Sequence, residues 1–267
     1  MEKYKYVFIV LVYKNIDVLK DFFKSLHISD YKVIVVNSFY DNKSLKECEE
    51  TALANNADFI PVENKGFGFG NNVGTEYALN NYNFDYLIMS NSDIHVISLE
   101  GLDIVKEENV VIAPYTHLPE GKEQNPNIPW RTKALLKIFK VAYDKEAKPL
   151  LILARIITRG SRELFKLYNF IAQKELYRIY CCHGSFIIFS KKAVETLYPV
   201  FDERVFLYNE ELYLAERSRI KNVPILYCPH INVLHLEGAS TGTNFDFSRF
   251  KNSYSILYEW MKENGCI

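Results

Sequence analysis

Three groups of side chains in this chain could do chemistry. Asn91-Ser92-Asp93 closes an apolar run, and a carboxylate at a strand end can hold a divalent ion whose other ligands are diphosphate oxygens. Glu210-Glu211 sets two carboxylates side by side after the aromatic run Phe201 to Tyr208, where a helical pattern begins. His235 closes the apolar run that starts at Ile231. Taken singly, each has a plain structural counterpart. Asn-x-Asp caps turns, acidic pairs answer the dipole of a helix N-terminus, and a histidine ending an apolar strand is commonly a satisfied core residue.

Spacing excludes three familiar sites. Gly66-Phe67-Gly68-Phe69-Gly70 suggests a dinucleotide loop, but Asn71 and Val73 stand where its two registers need the third glycine, and the segment follows the third strand, not the first. No G-x-x-x-x-G-K-[ST] phosphate loop is present. Gly238-Ala239-Ser240-Thr241-Gly242 matches the serine elbow G-x-S-x-G, yet no histidine follows His235, so the triad order fails and these residues read as a loop.

The elements that must position the candidates are legible as periodicity. Tyr6 to Tyr13, Lys32 to Asn37, Asp58 to Glu63 and Asp85 to Ser90 read as four strands. Between them lie a helix from Asn15 to His27, a second opened by the capping-box signature Ser44-Leu45-Lys46-Glu47 and running toward Asn55, and a third that a glycine-rich turn, Lys65 to Gly70, leads into and that ends near Asn80. This alternation predicts right-handed β-α-β units: a Rossmann-like α/β architecture with a mostly parallel central sheet flanked by helices. Ligands of such sheets bind at the carboxyl ends of the strands, here the polar sets Tyr13 to Asn15, Asn37 to Asp41, Asn64 to Gly70 and Asn91 to Asp93. Later come a strand from Ser185 to Phe189, a helix from about Asn209 to Lys221, strands Ile225 to Cys228 and Ile231 to Leu236, and a final helix near Phe247 to Asn264.

With 48% hydrophobic and 24% charged residues, neither a disordered polymer nor a membrane-spanning protein fits. The near-balance of 32 Lys+Arg and 33 Asp+Glu hides segregation: residues 121–180 hold 13 basic and 5 acidic side chains, a local charge of +8 against −9 elsewhere. That distribution argues against a nucleic-acid partner and for a local anionic one, a membrane surface or a phosphorylated substrate. On helical spacing Lys133, Lys137 and Lys140 form one basic stripe and Arg155, Arg159, Arg162 and Lys166 another. An anionic membrane surface is therefore an expected partner of 131–166, at ~1 kcal/mol per engaged basic residue; an ordinary solvated helix face is the competing reading. Five cysteines without a Cys-x-x-Cys pair point to a reducing compartment. The run Val7 to Tyr13 is too short for a signal peptide, and none approaches the ~18 residues of a membrane span. The expected place is the cytoplasm, peripheral on the inner face of the membrane.

Taken in order, the strand-end Asn91-Ser92-Asp93, the glycine-bounded strand His183 to Phe189, the run Phe201-Asp202-Glu203 through Glu211, and Val233-Leu234-His235-Leu236-Glu237-Gly238 with Ser240 resemble the family 2 glycosyltransferases. The likeness is strongest to the rhamnosyltransferase-like branch that builds bacterial surface polysaccharides. It covers about Tyr4 to Pro114 and Cys182 to Thr241, most specifically Phe201 to Glu211 with Arg217, and Asn64 to Gly74.

The resemblance implies a single GT-A domain over 1–267, with a nucleotide-sugar-binding half at 1–115, a basic helical insert at 120–180 and an acceptor and catalytic half at 181–267 ending in a C-terminal helix. It implies an inverting, divalent-metal-dependent (Mn²⁺ or Mg²⁺) transferase that moves a sugar from a nucleotide-diphosphate donor to a saccharide acceptor, itself lipid-linked. Under it Asp93 and His235 hold the metal, Glu211 is the general base, and Glu210 is its acidic neighbour. Tyr13, Asn37, Asn64, Gly66, Asn72 and Asn91, with Asp93, would bind the nucleotide sugar, and Asp202, Tyr208 and Arg217 the acceptor. Four departures stand out: Asn37 and Tyr213 where the family often carries Asp, Glu211 for the more frequent Asp, and Pro199-Val200 for Gly-Gly. They motivate a rival reading, a nucleotide-sugar-binding module without turnover. A nucleotidyltransferase ranks last, because Tyr13-Lys14-Asn15 offers no glycine-rich, basic loop after the first strand.

Overall fold

The computed structural model describes residues 1–236 and 246–267; the Gly238 to Gly242 loop expected from the sequence lies outside them. The continuous apolar runs become strands buried on both faces, as parallel sheets require. β1 (Glu2–Val12), β2 (Tyr31–Ser38), β3 (Asp58–Val62) and β4 (Tyr82–Asn91) pair in parallel in the order β3-β2-β1-β4. Alternation along β1 sends Phe8 and Val10 into the layer with α1 (Asp17–Ser25) and α2 (Asn42–Ala54), and Val7 and Ile9 into the layer with α3 (Phe67–Asn81).

Beyond β4 the sheet is mixed. β5 (Ile94–Ser98), β6 (Val111–His117), β8 (Phe186–Ser190) and β9 (Ile225–His235) continue it in the order β4-β8-β6-β9-β5, and β7 (Tyr177–Ile179) also pairs with β9. β8 runs antiparallel to both β4 and β6, β9 is parallel to β6, and β5 is antiparallel to β9. These reversals have one consequence: the C-terminal ends of β1, β2, β3, β4, β6 and β9 and the N-terminal ends of β8 and β5 emerge at the same edge. The two strands expected around Pro229 are one strand, whose pairing with β6 shifts register between Pro114 and Tyr115 because Pro229 brings no N–H to the ladder.

The second layer of helices comprises α4 (Lys133–Asp144), α5 (Lys148–Ala172), α6 (Lys191–Leu197), α7 (Glu210–Ile220) and α8 (Phe247–Glu263). α4 and α8 are joined by aromatic rings, Tyr143 lying 5.0 Å from Phe250 and 5.2 Å from Tyr254, whose hydroxyl donates to the Leu136 carbonyl. Among the described residues no helix is long and apolar enough to cross a membrane.

Two local expectations are revised. Ser44 does not open α2; Asp41 caps it, its carboxylate accepting the Ser44 N–H at 2.7 Å, and a full negative charge answers the helix dipole better than a hydroxyl. Most of Lys65 to Gly70 is helix rather than turn. Gly66 alone bends the chain, at φ 113°, and a side chain there would overlap the Phe206 backbone. Inside α3 a Cβ on Gly74 would lie 2.6 Å from Ile9, so glycine lets this helix settle close on β1.

Candidate active site

The edge where the strand ends emerge is hollowed into a cavity of about 870 Å³, within the size range of ligand sites. Tyr13, Ser38, Asn64, Gly66, Asn91 and Asp93 line it from the ends of β1 to β4. His183, Gly184 and Ser185 before β8, Tyr208 to Glu211 at the start of α7, and His235 ending β9 complete the polar part.

Four of the residues expected to bind ligand lie outside this lining. Asn37 points to the opposite face, in the layer of Val35, where its side chain meets the Cys48 thiol; the next residue, Ser38, faces the cavity instead. Asn72 is buried in α3 and spends its whole amide on the chain: Nδ2 donates to the Phe201 carbonyl (2.9 Å) and Glu203 (3.1 Å), and Oδ1 accepts from Val200 and Phe201 N–H. It pins the loop that precedes Tyr208. Asp202 is held by Arg204, whose Nε and Nη2 donate to it at 2.9 and 2.6 Å. Arg217 donates to the Tyr213 hydroxyl at 3.0 Å and to the Tyr198 carbonyl at 3.3 Å, tying α7 to the end of α6; Tyr213 thus serves packing, with Trp260 4.7 Å from its ring.

Asp93 and His235, 142 positions apart in the chain, meet through the pairing of β5 with β9. His235 Nδ1 lies 2.8 Å from Gln124 Oε1, and since an amide oxygen only accepts, the proton is on Nδ1. In the neutral ring that leaves the Nε2 lone pair turned toward Asp93 Oδ1 at 3.3 Å. Two acceptors converging on one point fit a cation, with one imidazole and one carboxylate as protein ligands. Among the described residues no cluster of three or more His, Cys, Asp or Glu forms a complete metal cage, so other ligands would come from a bound diphosphate and water. The neighbouring His183, 5.8 Å away ring to ring, is lowered to about 3 by burial and by His235, and so stays neutral beside a cation.

The acidic pair is built differently. Tyr208 and Asn209 take positive φ (76° and 67°), a bend that swings the chain into α7 with Glu210 and Glu211 in its first turn. The Asn209 amide holds that bend by donating to Ser253 at 2.7 Å. Burial, followed by the charge of Glu211, pushes Glu210 up to about 8. Burial also raises Glu211, but its own backbone N–H and that of Gly184 pull the other way. Both carboxyls are thus raised, Glu210 with the repulsion of its neighbour added, while two backbone N–H groups favour charge on Glu211. Glycine at 184 leaves room for the carboxylate, since a Cβ would stand 2.7 Å from Glu211 Oε1.

Several residues of the site escape sequence reading, among them Gln124, which meets His235 from outside the cavity lining. Gln124 has no motif around it and sits in an irregular segment. Phe139 and Tyr143 of α4 and Thr158 of α5 line the cavity, so the basic insert supplies an apolar wall to the site. Arg249 of α8 lies 4.6 Å over the Phe206 ring at the rim. Only Gly184 left a signal, as the glycine flanked by polar residues just before a buried strand.

No family model matches the chain. Among solved structures it superposes on GalNAc-T7 with UDP, GalNAc and Mn²⁺ at a TM-score of 0.64 and 12% identity, covering 96% of this chain and 48% of that one. On the mannosyltransferase PcManGT from Pyrobaculum calidifontis, in complex with GDP-Man and Mn²⁺, the TM-score is 0.57 at 10% identity, over 99% of this chain and 65% of that one. The chain thus spans about half the length of the first and just under two thirds of the second. In sequence it is 23% identical over 254 residues to the low-salt glycan biosynthesis hexosyltransferase Agl10 of Haloferax volcanii, covering 94% of this chain and 72% of that protein. This chain has the GT-A glycosyltransferase fold and is a distant homologue of a hexosyltransferase of glycan biosynthesis.

Proposed function

We propose that the protein transfers a hexose from a nucleoside-diphosphate donor to a hydroxyl of a saccharide acceptor, with inversion at the anomeric carbon. The observation that carries this reading is the Glu211 carboxyl, held by the Gly184 N–H in the same cavity as Asp93 and His235. Glu211 takes the proton of the attacking acceptor hydroxyl, help worth ~10²–10⁴ in rate. Glu210 keeps its own proton and leaves the charge on its neighbour. Asp93 and His235 hold a divalent cation, which when bound neutralises charge developing on the departing diphosphate. Gln124 fixes the His235 ring so that Nε2 faces the ion. Tyr13, Ser38 and Asn64 surround the nucleoside, Gly66 lets the chain pass close to it, and Tyr208 borders the acceptor.

The sequence resemblance favours rhamnose as the sugar, a lipid-carried saccharide of surface polysaccharide synthesis as the acceptor, and the cytoplasmic side of the membrane as the place of work. Thermal-shift titration with UDP, TDP and GDP, each with and without Mn²⁺, followed by donor hydrolysis, tests the reading. One nucleotide is expected to stabilise the protein only with the metal, and Asp93→Asn to abolish that dependence. Affinity unchanged by EDTA would remove the metal from the scheme. Metal-linked binding with no transfer to any saccharide would leave a nucleotide-sugar-binding module.

A further inference from the structure

Among the described residues, α5 is covered by protein on a narrow side only. Leu151, Ala154 and Phe165 are its buried residues, while Ile152, Ile156, Leu164, Leu167, Phe170 and Ile171 are exposed, Phe170 and Ile171 by 77% and 71%. At 100° per residue these six fall within an arc of about 120° centred opposite the buried side, the width of an ordinary core-facing stripe. The single charge in that arc, Glu163, is neutralised by Lys166 at 3.8 Å. A 25-residue helix that turns an apolar stripe outward needs something to cover it.

The charges around the stripe identify the cover. Lys148, Arg155 and Arg159 are exposed in a row along one flank of it, and Arg155 and Arg159 form no ion pair among the described residues. At the C-terminal end of the helix Trp130, Tyr168, Lys174 and Arg178 border a cleft of about 360 Å³, the mixture of amphipathic rings and cations suited to lipid headgroups. A second copy of the chain fits less well, since antiparallel pairing of two α5 helices about a two-fold axis would set their cationic rows side by side.

We propose that α5 lies in the plane of an anionic bilayer surface, its apolar stripe sunk among the acyl chains and its basic row among the phosphates. The attachment differs from a purely electrostatic one. Of the basic residues that the sequence singled out, Arg162 donates to the Glu123 carbonyl, Lys166 pairs with Glu123 and Glu163, and Lys140 pairs with Asp144; their charges are partnered within the chain, and apolar side chains take the outward position. Thr158, on the opposite side of the same helix, lines the cavity. The near wall of the cavity therefore sits about one helix diameter, ~10–12 Å, from the lipid, which on the reading of a lipid-carried acceptor opens the cavity toward the membrane side.

Flotation with phosphatidylcholine vesicles, with and without phosphatidylglycerol, tests this without donor or metal, so its outcome stands apart from that of the transfer assay. The wild-type chain is expected to float with the anionic vesicles and to remain partly bound at high salt. Ile156→Glu with Leu167→Glu should weaken binding by about a hundredfold. Arg155→Gln with Arg159→Gln should weaken it by about thirtyfold at low salt and much less at high salt. Both pairs are at exposed positions, so unchanged melting temperatures are expected to show that the variants fold. Equal recovery of the wild type with both vesicle types would overturn the proposal, as would a glutamate pair that floats like the wild type. A wild-type dimer in light scattering that the glutamate pair makes monomeric, with no flotation, would assign the stripe to a second copy.

Discussion

At the strand ends, Asp93 faces an imidazole whose N–H is turned away to Gln124; at the start of α7, Glu210 faces another carboxylate. Both places bury acid in one cavity, and they resolve it in opposite ways. On the function proposed above, the first offers a carboxylate and an imidazole to a cation, whereas in the second burial raises both carboxyls and favours a proton within the pair. On our reading this division sets the chemistry: the cation site handles the leaving diphosphate and the proton-sharing pair handles the acceptor hydroxyl. The contrast extends to the backbone. Asp93 depends on long-range strand pairing, and Glu211 depends on one glycine.

The comparison breaks most sharply at Glu211. Glu211→Gln keeps the shape and loses the proton acceptor, so donor affinity in titration calorimetry should stay within a few-fold while transfer falls by ~10²–10⁴. Near-normal turnover in that variant, with loss in Glu210→Gln, would move the base by one residue.

A smaller effect should come from Gly184→Ala. The added Cβ, 2.7 Å from Glu211 Oε1, must displace the carboxylate, and a misplacement of about 1 Å costs ~10² in rate. Metal-linked nucleotide binding at Asp93 and His235 should be unaffected, so kcat falls while the thermal shift with nucleotide and metal persists. Equal loss of both would mean that the two regions are not separable.

Glu210→Gln should have the smallest effect on turnover, because the amide resembles the protonated acid already present. It sharpens the comparison through pH instead. The ordinary glutamate value is 4.5 and the folded one about 8, so the folded state binds the extra proton between them. That contribution to stability is complete below about pH 4.5 and is lost as the pH rises to about 8. Melting temperatures from acid to mildly alkaline pH should fall more steeply for wild type than for Glu210→Gln. Parallel curves would show that folding does not shift the titration of Glu210.

What the sequence determined alone is what local periodicity can carry. The apolar runs from Tyr6, Lys32, Asp58 and Asp85 announce strands because a strand buried on both faces tolerates little else, and the polar residues ending them mark the ligand edge. Asp93 and the Glu210-Glu211 pair are legible for the same reason, each standing at the boundary of a periodic element. Tertiary structure decided the rest. Reversal of β8 and the pairing of β5 with β9 bring His235 to Asp93, and neither pairing has a local signature. Asn72 and Arg217, singled out by the resemblance, lie outside the cavity lining and donate to backbone carbonyls of Phe201 and Tyr198, since a motif records residue type and not the direction of a side chain. The stripe on α5 has the period of a core-facing helix; whether such a stripe is covered depends on the neighbours the chain brings to it, and here none of the described residues covers it.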